Sequence, residues 1–276
     1  MQARLQSIPI GQRIALALAL PMAGFLFFVL WALSSHQRTA NEMRNLREMA
    51  EMAASVSAVV HEVQRERGMS TAFLGSGGTA FLAHQAVRHA QTDAQLAVLR
   101  QKLQHLALEH FDGRLRSRIA QAQLQWEALA AWRRDAFALT VTPEVQLARY
   151  SAAIHALIGI VQEMYFLGSD ADISRSIYAL VNLMQAKEAA GVERALGVTY
   201  FSAPRVDAID RQVFVAQADR QANFLEQFRF FAALEQVQQL DRVLADEKAA
   251  EIERLRGFVF QRVLARQEAT QNSTAR

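Results

Sequence analysis

The stretch Val63–Leu74, "VQRERGMSTAFL", continues an apolar row that begins at Met49 and runs through Ala53, Val56, Val60 and Val63 to Arg67, Ser70 and Leu74. Steps of three and four put these positions on one face of an α-helix, the face that a bundle buries. Arg67 and Ser70 are the polar interruptions. Arg65 belongs to a different row, with Ala54, Ala58 and His61, and is expected in solvent. A guanidinium on a buried seam costs several kcal/mol unless something negative meets it. The stretch therefore argues for a helical fold and raises the question of what Arg67 binds.

The rest of the 276-residue chain agrees with a mostly helical protein: 51% of its residues are hydrophobic and it holds only 12 glycines and 4 prolines. Amphipathic segments are separated by short breakers, "GSGGT" at Gly75–Thr79, "HFDG" at His110–Gly113, "TVTP" at Thr140–Pro143, "GSDAD" at Gly168–Asp172 and "SAP" at Ser202–Pro204. The segment after Arg114 shows the bundle pattern in Leu115, Ile119, Ala122, Trp126 and Leu129. Pro143 suits a first helical turn, and Asp170 or Asp172 suits a cap for the helix that follows. The last stretch, Glu235–Arg266, reads as one helix or two. Together these features predict an all-α chain of about six to eight helices in up-and-down packing.

Ahead of this part, Ile14–Leu33, "IALALALPMAGFLFFVLWAL", is free of charge for twenty residues, the length needed to cross a hydrocarbon core of about 30 Å. It is expected to be a transmembrane signal anchor, with "WALSS" leaving cleavage open. Arg4 and Arg13 favour a cytoplasmic tail. The expected organisation is a tail at 1–13, an anchor at 14–34, a helical sensor region at 35–234 and a C-terminal segment at 235–276. That arrangement makes the chain a single-pass inner-membrane protein with a periplasmic soluble part.

With no cysteine in the chain, disulfides, iron–sulfur clusters and thiol catalysis are excluded. The net charge of +3 is scattered and forms no basic stripe with interleaved aromatics, which argues against nucleic acid as a partner. "HEVQR" begins like a zinc-protease helix but has Arg65 where the second histidine belongs. His84/His89 and His105/His110 are five apart and fall on different helix faces, so no metal site is expected. "GSGGTA" lacks the lysine of a phosphate-binding loop. The aromatic run "FLEQFRFF", Phe224–Phe231, suits a helix core or a dimer seam. No acid, base and nucleophile constellation stands out; neither catalytic residues nor a cofactor are expected.

The row through Ile173, Ile177, Leu180, Met184, Lys187, Gly191, Arg194, Val198 and Phe201 again carries an arginine. Around it, "ERALGVTYFSA" at Glu193–Ala203 aligns without a gap with "ERGMSTAFLGS" at Glu66–Ser76, 127 residues earlier. The third Glu-Arg pair, Glu253–Arg254, does not share the pattern. Arg67 and Arg194 are thus expected to face each other in one core. Two readings follow. Either Glu66 and Glu193 neutralise the arginines, making a structural scaffold or adaptor, or the two guanidinium forks clamp a small trigonal anion such as nitrate, nitrite or carboxylate. Small neighbours, Ser70 and Thr71 on one helix and Ala190, Gly191 and Gly197 on the other, leave room for it.

At these residues, "HEVQRERGMSTAFL" and "KEAAGVERALGVTYF", the chain resembles the NIT domain, the nitrate- and nitrite-sensing module of bacterial receptors, over roughly Glu51 to Leu234. The resemblance implies two associated four-helix bundles with nitrate or nitrite held between helices by Arg67 and Arg194. Gln64, Ser70, Lys187 and Gly191 lie near enough to support them. It also implies, more weakly, a homodimer. Members of that family usually carry an output module after the sensor, whereas here a polar tail, "RQEATQNSTAR", follows. An unidentified signalling partner is therefore expected to receive a helix movement from the anion-bound domain.

Overall fold

The computed structural model describes residues 10–105, 113–167, 171–202 and 208–258, apart from some side chains inside helices. Its helices are α1 (Ile10–Gly75), α2 (Gln85–His105), α3 (Gly113–Glu127), α4 (Leu129–Phe137), α5 (Pro143–Met164), α6 (Ala171–Ser202), α7 (Ala208–Phe231), α8 (Leu234–Leu244) and α9 (247–258). Among the described residues there is no strand. The chain divides into two units, Met1–Ala50 and Glu51–Arg276.

In the first unit the described backbone is helical, and Met22, Phe25, Phe27 and Trp31 are all more than half exposed. Among the described residues no helix is long and apolar enough to cross a membrane. A span needs about 20 consecutive apolar residues. The described part of α1 does not meet that requirement. The expected anchor at 14–34 is corrected on that ground.

The second unit follows the bundle pattern closely. On α1, Ala53, Val56, Val60, Val63, Arg67, Ser70 and Leu74 are all buried, as the spacing requires. The helix stops at Gly75 because Gly77 and Gly78 take φ of 64° and 87°, where a Cβ is strained. Their N–H groups bond back to the carbonyls of Leu74 and Phe73. Thr92, Leu96, Leu99 and Leu103 form the buried face of α2. Leu115, Ile119, Ala122 and Trp126 form that of α3, with Leu129 continuing it after a one-residue break at Ala128.

Thr142 caps α5, its hydroxyl accepting from the Val145 N–H, with Pro143 in the first turn. From Leu157 to Val161 five successive residues are buried, so that part of α5 has no solvent face. It packs on α3 and on α6 and is the shared wall of the unit. Helix α6 packs in turn on α7. Of the aromatic run, Phe228 is core and Phe231 meets Tyr178 edge-on at 4.5 Å, while Phe230 is exposed. The C-terminal stretch resolves into two helices broken at Ala245 and Asp246. His110, Asp170 and the proline of "SAP" lie outside the described residues.

Candidate anion site between α1 and α6

Arg67 is among the largest side chains the fold buries, at 1% exposure. Its Nη1 donates to a carboxylate oxygen of Glu188 on α6, itself 2% exposed, and to Ser151 Oγ on α5 at 2.8 Å. Gln64, one turn earlier on α1, donates to the other Glu188 oxygen at 2.9 Å. The charge on the seam is therefore met, as its desolvation demands. One edge of the guanidinium is not. Nε and Nη2 are both buried and without a hydrogen-bond partner among the described residues. These two nitrogens form the side-on fork that binds a planar oxoanion through two parallel bonds.

The chain uses that same fork twice elsewhere. Arg133 on α4 holds Glu66 through Nε at 2.8 Å and Nη2 at 3.0 Å, and Arg256 on α9 holds Glu193 through Nε at 2.5 Å and Nη2 at 2.6 Å. Neither Glu66 nor Glu193 serves the arginine of the other helix, contrary to the scaffold reading. Tyr150 adds a hydrogen bond to Glu66 at 2.6 Å, and Arg256 also donates to Gln221. The repeat thus recurs in three dimensions through its glutamates, each clasped by an arginine from outside the motif.

Arg194 corrects a second expectation, because it is exposed rather than core. Helix α6 buries two rows, Ile177, Val181, Met184 and Glu188 on one side and Ala179, Asn182, Ala186, Ala189 and Glu193 on the other. The row through Lys187, Gly191 and Arg194 runs between them, at the rim. There Arg194 lines a cavity of about 460 Å³ together with His61, Gln64, Arg65, Lys187 and Gly191. A second cavity, of about 870 Å³, shares Arg65 and Arg194 and adds Arg88. Arg65 is half in solvent and pairs with Glu62. Lys187 Nζ lies 2.9 Å from His61 Nδ1. Burial and the Lys187 charge hold the His61 imidazole below its ordinary value.

Two glycines set the distances. A Cβ on Gly191 would fall 2.7 Å from Arg67 Nη2, while one on Gly68 would meet Arg194 Nη2 at an ordinary 3.7 Å. Each arginine thus lies against a glycine of the opposite helix. Gly191→Ala is expected to push the pinned Arg67 fork aside and weaken anion binding by about tenfold or more, a loss of ~1.4 kcal/mol. Gly68→Ala is expected to bind normally and to gain up to about 1 kcal/mol of stability from helix propensity. Paired urea and nitrate titrations of both variants check this.

Of the other expected site residues, Gln64, Lys187 and Gly191 are at the site. Ser70 is not. It faces α5 and accepts from Gln146 Nε2 at 3.0 Å. Glu188 and Ser151 were not anticipated. The available signal was that Glu188 lies four residues after Met184 on a buried row.

An all-helical unit with a guanidinium edge buried and unpartnered between two helices, close to a cavity lined by further cations, is by its chemistry a candidate for holding a small anion. The family model described as nitrate and nitrite sensing matches residues 58–276, and the chain belongs to that family. It is 31% identical over 202 residues to the nitrate regulatory protein of Klebsiella oxytoca, an alignment covering 73% of this chain and 51% of that protein. The solved structure of the NasR transcription antiterminator is similar at a TM-score of 0.75 and 30% identity, over 83% of this chain and 61% of that one. The chain spans about half the length of the curated relative it matches.

Three expectations are overturned. Neither relative is named as a periplasmic membrane relay, and one is named as a transcription antiterminator. With no membrane-crossing helix among the described residues, the single-pass inner-membrane placement and the relay from a periplasmic domain are withdrawn. The exclusion of nucleic acid is withdrawn as well. It rested on the lack of a basic stripe in this chain, and a relative named as a transcription antiterminator removes its force.

Proposed function

We propose that this chain is the anion-sensing part of a regulator, binding nitrate or nitrite between α1 and α6. The observation that carries this is the Nε–Nη2 fork of Arg67, buried and unpartnered beside Gly191. A planar monoanion takes the fork through two oxygens, and Arg194 closes on it from the rim. Gln64 keeps Glu188 on the far edge of Arg67 so that the fork stays open. Lys187 adds charge at the mouth, and Arg256, with Glu193, lines the same cavity from α9. The helices read as two bundles meeting along α5, with the anion where α1 crosses α6.

The family's description supports nitrate and nitrite as ligands. The relatives' names support an output in gene regulation, at the level of transcription. Such a module binds and regulates; it does not catalyse. The scaffold reading has one observation in its favour, the Arg67–Glu188 ion pair. It predicts that added anions do nothing. Calorimetric titration of the full chain with nitrate, then nitrite, decides: binding should appear as heat and as a higher melting temperature, worth about 2.7 kcal/mol at a hundred times Kd. No heat and no shift at millimolar concentrations of either anion would overturn the proposal.

A further inference from the structure

Building on that reading of the site, we infer that Glu188 sets the valence of the anion, admitting monovalent oxoanions and rejecting divalent ones. Arg67 and Glu188 are both almost fully buried and joined through Arg67 Nη1, so the wall of the site is a neutral pair rather than a bare cation. The cations at the mouth act through water, where charges are screened, and two of them are already matched, Arg65 by Glu62 and Arg256 by Glu193. Buried charges are screened far less. One negative charge on the Arg67 fork, with Arg194 above it, brings the group to neutrality. A second negative charge finds only the solvent-exposed Lys187 ammonium, already engaged with His61, and faces the Glu188 carboxylate across the guanidinium.

Glu188 is held from both sides: Gln64 donates to one of its oxygens and Arg67 to the other. It also lines, with Ser151, a cavity of about 270 Å³ on the side of α6 that faces α5 and α7. The carboxylate is therefore held in a wall between two spaces, repelling anions from the fork beyond what shape alone demands. Shape and charge can be separated, because Glu188→Gln keeps the outline of the side chain and removes only the charge.

The test is competition calorimetry on the full chain at constant ionic strength, with nitrate as the monovalent probe and sulfate as the divalent one. In the wild type, sulfate should bind at least ~100-fold more weakly than nitrate, and in Glu188→Gln the gap should close to within about tenfold. A second variant, Gln64→Lys, neutralises the same carboxylate without deleting it and should relax the preference in the same direction, so the question stands even if Glu188→Gln folds poorly. Nitrate binding with an unchanged ratio in the folded variants overturns the role of Glu188 alone. A wild type that binds sulfate as well as nitrate does the same. Failure of the wild type to bind nitrate at all overturns the underlying reading of the site, and the valence filter with it.

Discussion

Replacing Arg133 by methionine is expected to cost about 3–5 kcal/mol of stability at neutral pH, because it leaves a buried carboxylate without its cation. Glu66 is 0% exposed, and Arg133 supplies both bonds of its fork. Burial by itself pushes the Glu66 carboxyl up. The hydrogen bond and charge of Arg133, with Thr92 and Tyr150, outweigh that and leave it below its ordinary value of 4.5. A depressed folded value means that the stabilisation is present above pH 4.5 and is lost as pH falls through the folded value. In the variant the sign reverses, because burial then acts without its counterweight and protonating Glu66 relieves the cost. Urea unfolding should therefore show a large gap between wild type and Arg133→Met at pH 7 that narrows at pH 4. Adding Glu66→Gln to Arg133→Met should restore much of the stability, as expected when the loss is an orphaned charge rather than lost packing. A loss below ~1 kcal/mol at pH 7 is what an exposed pair gives, and it would contradict this description of the first buried charge centre.

Arg67→Ala is expected to show two losses at once. Glu188 keeps only Gln64, again at about 3–5 kcal/mol, and nitrate binding disappears with the fork. Arg67→Lys separates them. An ammonium can still pair with Glu188 through the same seam, so most of the stability should return. It presents no planar pair of donors, so nitrate affinity should stay at least about tenfold below the wild type. Melting curves with and without nitrate on the three proteins read both effects together. If the lysine variant bound nitrate normally, the anion would be reading charge alone, and the geometry of the Nε–Nη2 edge would have no part in recognition.

How far the chain could be read in advance depended on how many faces each helix buries. Helix α1 buries one continuous band, in which the row from Ala53 to Leu74 lies beside a second through Met52, Val59, Glu66 and Phe73, and Arg67 stands out on the first. Helix α6 is buried against α5 on one side and α7 on another. Its two rows overlap in sequence, and following a single row through Lys187 and Arg194 leads to the rim rather than the core. Glu188 was hidden for a different reason. A glutamate on a buried row has meaning only once its partner is known, and Arg67 lies 121 residues away. Arg133 and Arg256 were equally out of reach, since each sits outside the motif whose glutamate it clasps. The Glu-Arg repeat pointed to the region between α1 and α6 but misassigned the pairing of its glutamates, because adjacent residues on a helix point in different directions.

The central claim is that an anion bridges a buried fork on α1 and a rim arginine on α6. Arg194 tests it most cleanly, because an exposed side chain can be removed without opening the core. Nitrate is titrated by calorimetry into the wild-type chain and Arg194→Gln, with the unliganded melting temperatures measured alongside. Nearly equal unliganded melting temperatures, saturable nitrate binding by the wild type and an affinity reduced at least tenfold (~1.4 kcal/mol) in the variant are the expected result. Equal nitrate affinity in the two proteins, or no binding by either, would contradict it.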